Sequence, residues 1–241
     1  MTQGLLFAGL KHQGRYQVIA ADPPWPYENW SHDRMKDHGS VAAHYQTLTM
    51  EQLLALPIGE LADPNGCALA LWSTAPRSAE GDHARLIRAW GFRPVTKLFH
   101  WRKVYRKCRC GHAEDRHLRC RDPKGNVTVV CQVKRCHCTR YDRRPYCGLG
   151  FYTRSSGEDC WLGTIGKGLM PADKGVRQEI EAPVEEHSEK PEAFYDRVEA
   201  LWPKARHRLE LFARGKPRKG WTTWGNEAEG GDPTVLTLEA R

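Results

Sequence analysis

The sequence predicts an α/β fold: a mainly parallel sheet flanked by helices, interrupted by a segment rich in cysteine and histidine. Three observations lead there. Short apolar runs at 18–21, 67–72 and 209–213 are separated by stretches of helical periodicity, and strands alternating with helices build parallel sheets covered on both faces. The chain has 241 residues, 40% of them apolar, enough for one such domain plus an insertion. Six of its nine Cys and three of its eleven His fall in one window, 108–138.

The elements follow in order. Residues 18–21, Val-Ile-Ala-Ala, read as a buried strand. Residues 26–47 are polar and without period, a long loop of the kind that is usually functional. Residues 49–56 suit a helix with Thr49 as cap, ended by Pro57. Residues 67–72 form a second buried strand, followed by Ser73-Thr74. A helix over 76–90 places Ala84, Ile87 and Trp90 on one face, and Gly91 terminates it. Strands follow at 95–101 and 160–165, then a helix at 191–201 with Pro191 at its start and Phe194, Val198 and Leu201 along one side. A strand at 209–213 comes next, and 228–241 reads as a frayed tail. The expected organisation is a domain in two parts, 1–104 and 148–228, an insertion at 105–147, and a tail at 229–241.

No apolar run approaches the roughly 20 residues of a membrane helix. Residues 1–10 lack a charged leader and a cleavage site, so a soluble cytoplasmic protein is expected. The net charge of +8 favours polyanionic partners. The excess lies between Arg102 and Arg144 and at Arg206, Arg208, Arg214, Lys216, Arg218 and Lys219. Such clusters suit phosphate contacts.

Asp22-Pro23-Pro24-Trp25 directly follows the first strand. In open α/β sheets, ligands bind outside the carboxyl ends of strands. A carboxylate, two prolines and an indole there suit gripping a flat, amino-bearing ring. The amine of adenine is a poor nucleophile because its lone pair is delocalised into the ring, so a catalyst must orient it. Asp22 can accept one N–H, and a carbonyl of the proline pair can accept the other. The prolines stiffen the turn, and Trp25 can stack on the base.

The window 108–138 holds Cys108, Cys110, His112, His117, Cys120, Cys131, Cys136 and Cys138. In a reducing compartment such clustering points to metal. Zinc takes four S or N ligands, usually as two close pairs. Cys108/Cys110 and Cys136/Cys138 are two such pairs, and the other four residues can complete one site or build a second. One or two zinc ions are therefore expected.

At this point the residues resemble the adenine N(6)-methyltransferases typified by the seventy-kilodalton catalytic subunit of the eukaryotic mRNA adenosine methyltransferase, a family with bacterial and phage members. The likeness covers most of 18–104 and 158–227. It runs through Asp22-Pro23-Pro24-Trp25, His44-Tyr45-Gln46-Thr47-Leu48 with Glu51-Gln52-Leu53, Leu71-Trp72-Ser73-Thr74 and Trp101-Arg102-Lys103. It continues in His187-Ser188-Glu189-Lys190-Pro191, Glu210-Leu211-Phe212-Ala213-Arg214 and Trp221-Thr222-Thr223-Trp224-Gly225-Asn226-Glu227.

The resemblance implies a Rossmann-like methyltransferase fold with a permuted motif order, S-adenosylmethionine as cofactor, and adenine in nucleic acid as substrate. DNA is favoured over RNA, in a bacterial or phage-infected cell. Asp22, Pro23, Pro24 and Trp25 would be catalytic, with Tyr45, Trp101 and Lys103 on the substrate side. Ala21 and Asp22 would border the cofactor, Arg214, Asn226 and Glu227 hold its ribose, and Lys167 reach its carboxylate. The chain departs from the family at Gly163-Thr164-Ile165-Gly166-Lys167, where the basic residue is displaced, and at Glu227, where an amide is common. The insertion at 105–147 is absent from the eukaryotic enzymes and can supply nucleic-acid contacts in cis. A self-sufficient chain and a homodimer both remain open. So do the same reaction on RNA and a non-catalytic nucleic-acid scaffold.

Overall fold

A computed structural model describes residues 10, 14–26, 47–108, 112, 117–121, 127–133, 136, 143–148, 152–184, 189–215, 218–225 and 227–228. The chain forms two compact units, one of residues 1–99, 159–178 and 196–241 and the other of 100–158 and 179–195.

The first unit is built on β1 (Val18–Ala21) and β2 (Gly66–Ser73), which are buried at every position. Continuous apolar strands of this kind belong in a sheet covered on both faces. β1 lies between β2 and β9 (Arg208–Leu211), and β9 pairs in turn with β11 (Trp221–Trp224), all in parallel. β7 (Gly157–Gly166) joins β2 in antiparallel register, so the sheet is mixed. The core of this unit gathers Ile19, Ala21, Leu69, Leu71, Leu209 and Leu211 against Leu53, Ile58, Leu61, Leu86, Ile87 and Trp90. Burial raises the Cys67 thiol well above its ordinary range, and Cys160 is buried beside β2.

The helices depart from expectation in one instructive place. α1 (Met50–Leu54) is capped by Thr49 as predicted, with Gln52 closing a reciprocal capping box, and a 3-10 turn at Ile58–Leu61 follows Pro57. The single helix expected over 76–90 is instead two, α2 (Ala75–Ala79) and α3 (Asp82–Ala89). Gly81 breaks them apart at φ 78°, a left-handed conformation open to glycine. Arg77, buried, reaches across the break to Asp82 at 3.1 Å and also pairs with Glu80 at 2.9 Å. Gly91, at φ 83°, ends α3 as predicted.

In the second unit, β3 (Arg93–Cys108) enters at His100 and runs far beyond the expected 95–101. β8 (Glu179–Pro183) pairs with it in parallel, and β6 (Arg143–Pro145) in antiparallel. β4 (His117–Arg121) and β5 (Val127–Cys131) form a separate antiparallel hairpin. β8, β11 and this hairpin were not expected from the sequence. The late helix α4 spans Glu192–Leu201, close to its expected bounds. β10 (Arg214–Gly215) and β12 (Glu227–Ala228) make a short parallel ladder. Among the described residues no helix is long and apolar enough to cross a membrane. The tail expected at 229–241 lies outside the described residues.

Gly59 is one of the points in the first unit where close backbone packing requires glycine. A Cβ on Gly59 would stand 2.6 Å from the Trp90 carbonyl oxygen. Gly59→Ala is expected to destabilise the fold by about 1–3 kcal/mol through overpacking. Scanning calorimetry should then show the midpoint fall by several degrees, on the order of 2–4 °C per kcal/mol.

Candidate active site at the carboxyl edge of the sheet

The parallel registers put four residues in one row. Ala21 pairs with Leu71 on one side and Leu211 on the other, and Leu211 pairs with Trp224. Neighbouring strands lie about 4.8 Å apart. Asp22, Trp72-Ser73-Thr74, Phe212-Ala213-Arg214 and Gly225 therefore follow the row on the same edge of the sheet. Residues far apart in sequence converge because three strand pairs keep one direction and one level.

The turn after β1 is tied down on three sides. The Trp25 amide donates to the Pro23 carbonyl at 2.8 Å, and the Leu48 amide donates to the Pro24 carbonyl at 3.0 Å. The Trp25 indole donates to the Trp72 carbonyl at 3.1 Å in a buried contact. Asp22 is half-buried at the head of this turn. Each proline carbonyl keeps a second lone pair for a further donor.

Trp25 itself is only 6% exposed and belongs to the core cluster. Its ring is already covered by the protein, which corrects the base-stacking role expected from the sequence. The indole instead pins the turn after β1 to the end of β2.

On the other side of β1, β9 ends at Leu211, two residues earlier than expected, because Phe212 turns the chain at φ 60°. β10 and β12 then bring Arg214 level with Glu227, two of the residues assigned to the cofactor's ribose. Asn226 lies outside the described residues, as does Tyr45. Lys167 is a correction. Gly166 pairs with Gly66 at the start of β2, and the Lys167 amide donates to the Asn65 carbonyl at 3.2 Å. From there to Leu71 is five strand residues, about 17 Å. Lys167 sits at the opposite edge of the sheet and is removed from the cofactor set.

A sequence profile described as MT-A70 matches residues 16–143 and 124–227, nearly the whole chain. The chain belongs to the MT-A70 family. It is 28% identical over 229 residues to the type II methyltransferase M.MunI of Mycoplasma sp, covering 88% of this chain and 78% of that one. It is 26% identical to the human N(6)-adenine-specific methyltransferase METTL4, covering 90% of this chain and 38% of the human protein. An Arabidopsis thaliana N(6)-adenosine-methyltransferase MT-A70-like protein is 23% identical, and the alignment spans 24% of its length. The chain thus matches only a minor part of the two longer relatives. A crystal structure of an M1.HpyAVI–SAM complex superposes with a TM-score of 0.42 at 11% identity, over 81% of this chain and 70% of that one.

Beside the MT-A70 turn lies a cluster that motif reading missed. β7 runs antiparallel to β2, so Asp159 pairs with Ser73 and Trp161 with Leu71. The Trp161 indole donates to Ser78 Oγ at 3.3 Å, and Ser78 Oγ donates to Ser73 Oγ at 3.1 Å. His83 stacks on Trp161 with ring centroids 4.0 Å apart, and Lys97 bridges to Asp159 at 2.9 Å. Burial holds the His83 pKa below its ordinary value, more than offsetting the pull of Asp159 and Asp82. Burial therefore favours the neutral imidazole. No local signal joins residues 73, 78, 83, 97 and 161; only the direction of β7 does.

The two expected substrate residues of the second unit are structural there. Trp101 is 1% exposed and its indole donates to the Ala182 carbonyl at 3.0 Å, so it offers no face to a base. Lys103 lies 4.8 Å from the centre of the Trp101 ring and binds Glu158 at 2.5 Å, while Lys190 holds the other Glu158 oxygen at 2.9 Å. This Lys–Glu–Lys triad was not anticipated. Burial would raise the Glu158 pKa, but Lys190 and then Lys103 outweigh it and hold it at about 2.

The metal candidates are only partly placed. Cys108 ends β3 opposite Arg143, His117 is the cross-strand partner of Cys131, and Cys120 is that of Thr128. His112 and Cys136 are half-buried. Cys110 and Cys138 lie outside the described residues, and among the described residues no group of three or more His, Cys, Asp or Glu forms a metal cluster.

The triad yields a pH test. Because the folded Glu158 pKa is depressed from 4.5 to about 2, its contribution is complete above pH 4.5 and is lost as pH falls towards 2. Glu158→Gln leaves two lysines facing a neutral amide and is expected to cost about 3 kcal/mol at pH 7. Urea midpoints against pH should converge for the two proteins near pH 2, separate as pH rises to 4.5, and stay apart by a constant gap above it.

Proposed function

We propose that the chain is an S-adenosylmethionine-dependent methyltransferase acting on the N(6) amine of adenine in DNA. The observation that carries this reading is Asp22-Pro23-Pro24-Trp25 leaving β1 in the same row as the ends of β9 and β11, within a chain of the MT-A70 family. DNA is favoured over RNA by the likeness to M.MunI, which extends over most of both chains. The net charge of +8 suits a phosphate backbone.

The residues of the edge fit an S-adenosylmethionine molecule. Arg214 and Glu227 stand level on a two-stranded ladder, and Gly225 keeps a bare backbone beside Ala213. A cation and a carboxylate on such a ladder can hold a ribose and an amino-acid tail. The cofactor supplies an electrophilic methyl group on sulfur. The chain supplies orientation: Asp22 accepts one N–H of the adenine amine, and a proline carbonyl with its spare lone pair accepts the other. Both bonds localise the nitrogen lone pair and aim it along one line. Most of the rate gain comes from this positioning. The Trp25 tie to Trp72 keeps the turn rigid while the target base, flipped from its helix at a cost of a few kcal/mol, enters.

The Cys/His-rich segment binds one or two zinc ions in this reading. The levelling of His117 with Cys131 supports it, as does the scarcity of large apolar residues there, which leaves the segment in need of a staple. Its Arg and Lys residues supply contacts to the nucleic acid.

Asp22→Ala is expected to lower kcat at least about a hundredfold while donor affinity, measured by calorimetry, changes little. Labelled donor with matched DNA and RNA oligonucleotides, followed by mapping of the modified base, tests the substrate; label on RNA alone or on no adenine would refute it. Metal analysis should find zinc, and a strong chelator should remove it and lower the thermal midpoint. Purified protein without zinc would end the metal reading.

A further inference from the structure

We propose that Phe212 and Gly225 are positioning residues for the cofactor: a left-handed aromatic residue and a side-chain-free residue that together steer the chain out of β9 and β11 into the β10–β12 ladder. The proposal rests on the reading of this edge as the S-adenosylmethionine site.

Phe212 is the one non-glycine residue with positive φ among the described residues, at 60°. A bulky residue adopts that conformation only when its surroundings impose it, and such strain gathers at functional sites. Here the surroundings are visible. The Phe212 ring meets Trp224 edge-on at 5.7 Å, and the Ala213 amide donates to the Trp224 carbonyl at 3.1 Å.

That bond draws the backbone of Ala213 onto Gly225. A Cβ there would stand 2.6 Å from the Ala213 nitrogen, 2.8 Å from its oxygen and 2.9 Å from the Phe212 carbonyl carbon. All three are backbone atoms and none can rotate away. Gly225 is not among the glycines at positive φ, so contact and not conformation demands a bare residue. An extended Phe212 would continue β9 straight on, as the sequence alone suggested. The turn instead takes the chain off the sheet beside Asp22 and sets Arg214 opposite Glu227.

The test is calorimetric titration of S-adenosylmethionine into the full chain and three variants, with thermal midpoints read in parallel. Gly225→Ala and Phe212→Val are expected to raise Kd at least about tenfold, since small displacements of a positioned site are costly. KM for the donor should rise with Kd, and kcat at saturating donor should fall less than KM rises. Phe212→Gly loses the ring yet takes φ near +60° freely, so it should restore affinity to within about threefold of the parent chain, although its thermal midpoint drops. Valine and glycine both remove the ring, so their difference isolates the backbone conformation. Should Phe212→Val not fold, Gly225→Ala decides alone.

Wild-type affinity in Gly225→Ala, or equal weakness in Phe212→Gly and Phe212→Val, would overturn the proposal while leaving the site in place. A folded parent chain that binds no donor would remove the cofactor reading and this inference with it.

Discussion

The shared parallel register of β1, β2, β9 and β11 is the constraint on which the rest depends. A strand that slipped by one residue would seat side chains of the wrong volume in the packed positions on both faces. Burial of Ile19, Leu69 and Leu209 forbids that. The same burial that secures the core thus fixes the level at which each strand ends. Chemistry at the edge is a by-product of packing in the middle: once the aliphatic side chains are seated, Asp22 has no freedom to stand anywhere else along the sheet.

How much of this was legible in the sequence follows from how local each cause is. The strands at 18–21 and 67–72 were legible because fully buried strands are continuous apolar runs, and Thr49 with Gln52 is a cap that acts within four residues. Gly91 was read correctly as a helix end, while Gly81 was missed, since a glycine inside an apolar period looks tolerable until an ion pair such as Arg77–Asp82 spans it. The turn Asp22-Pro23-Pro24-Trp25 was legible as a motif. The use of its tryptophan was not, because whether an indole faces a base or the Trp72 carbonyl depends on a partner 47 residues away. Lys167 failed for a related reason: its distance from the edge depends on β7 running antiparallel, and composition carries no sign of strand direction.

The second unit has a different economy. A charge group among its described residues places a carboxylate between two ammonium ions against an aromatic ring, with side chains at most 19% exposed. Buried charges of this sort contribute little net stability but penalise every arrangement that separates them. Here they tie β3, the start of β7 and Lys190, two residues ahead of α4, three segments that are remote in sequence. Specificity of arrangement, more than strength, is what such a triad provides.

Three of the described thiols divide by environment. Cys67 and Cys160 are sealed in the sheet, the first with its ionisation strongly suppressed, whereas Cys147 is exposed. Alkylation requires a thiolate that a reagent can reach. A maleimide dye therefore has a handle at Cys147 while the two sheet cysteines stay silent, which makes the native molecule addressable by spectroscopy without removing a core residue.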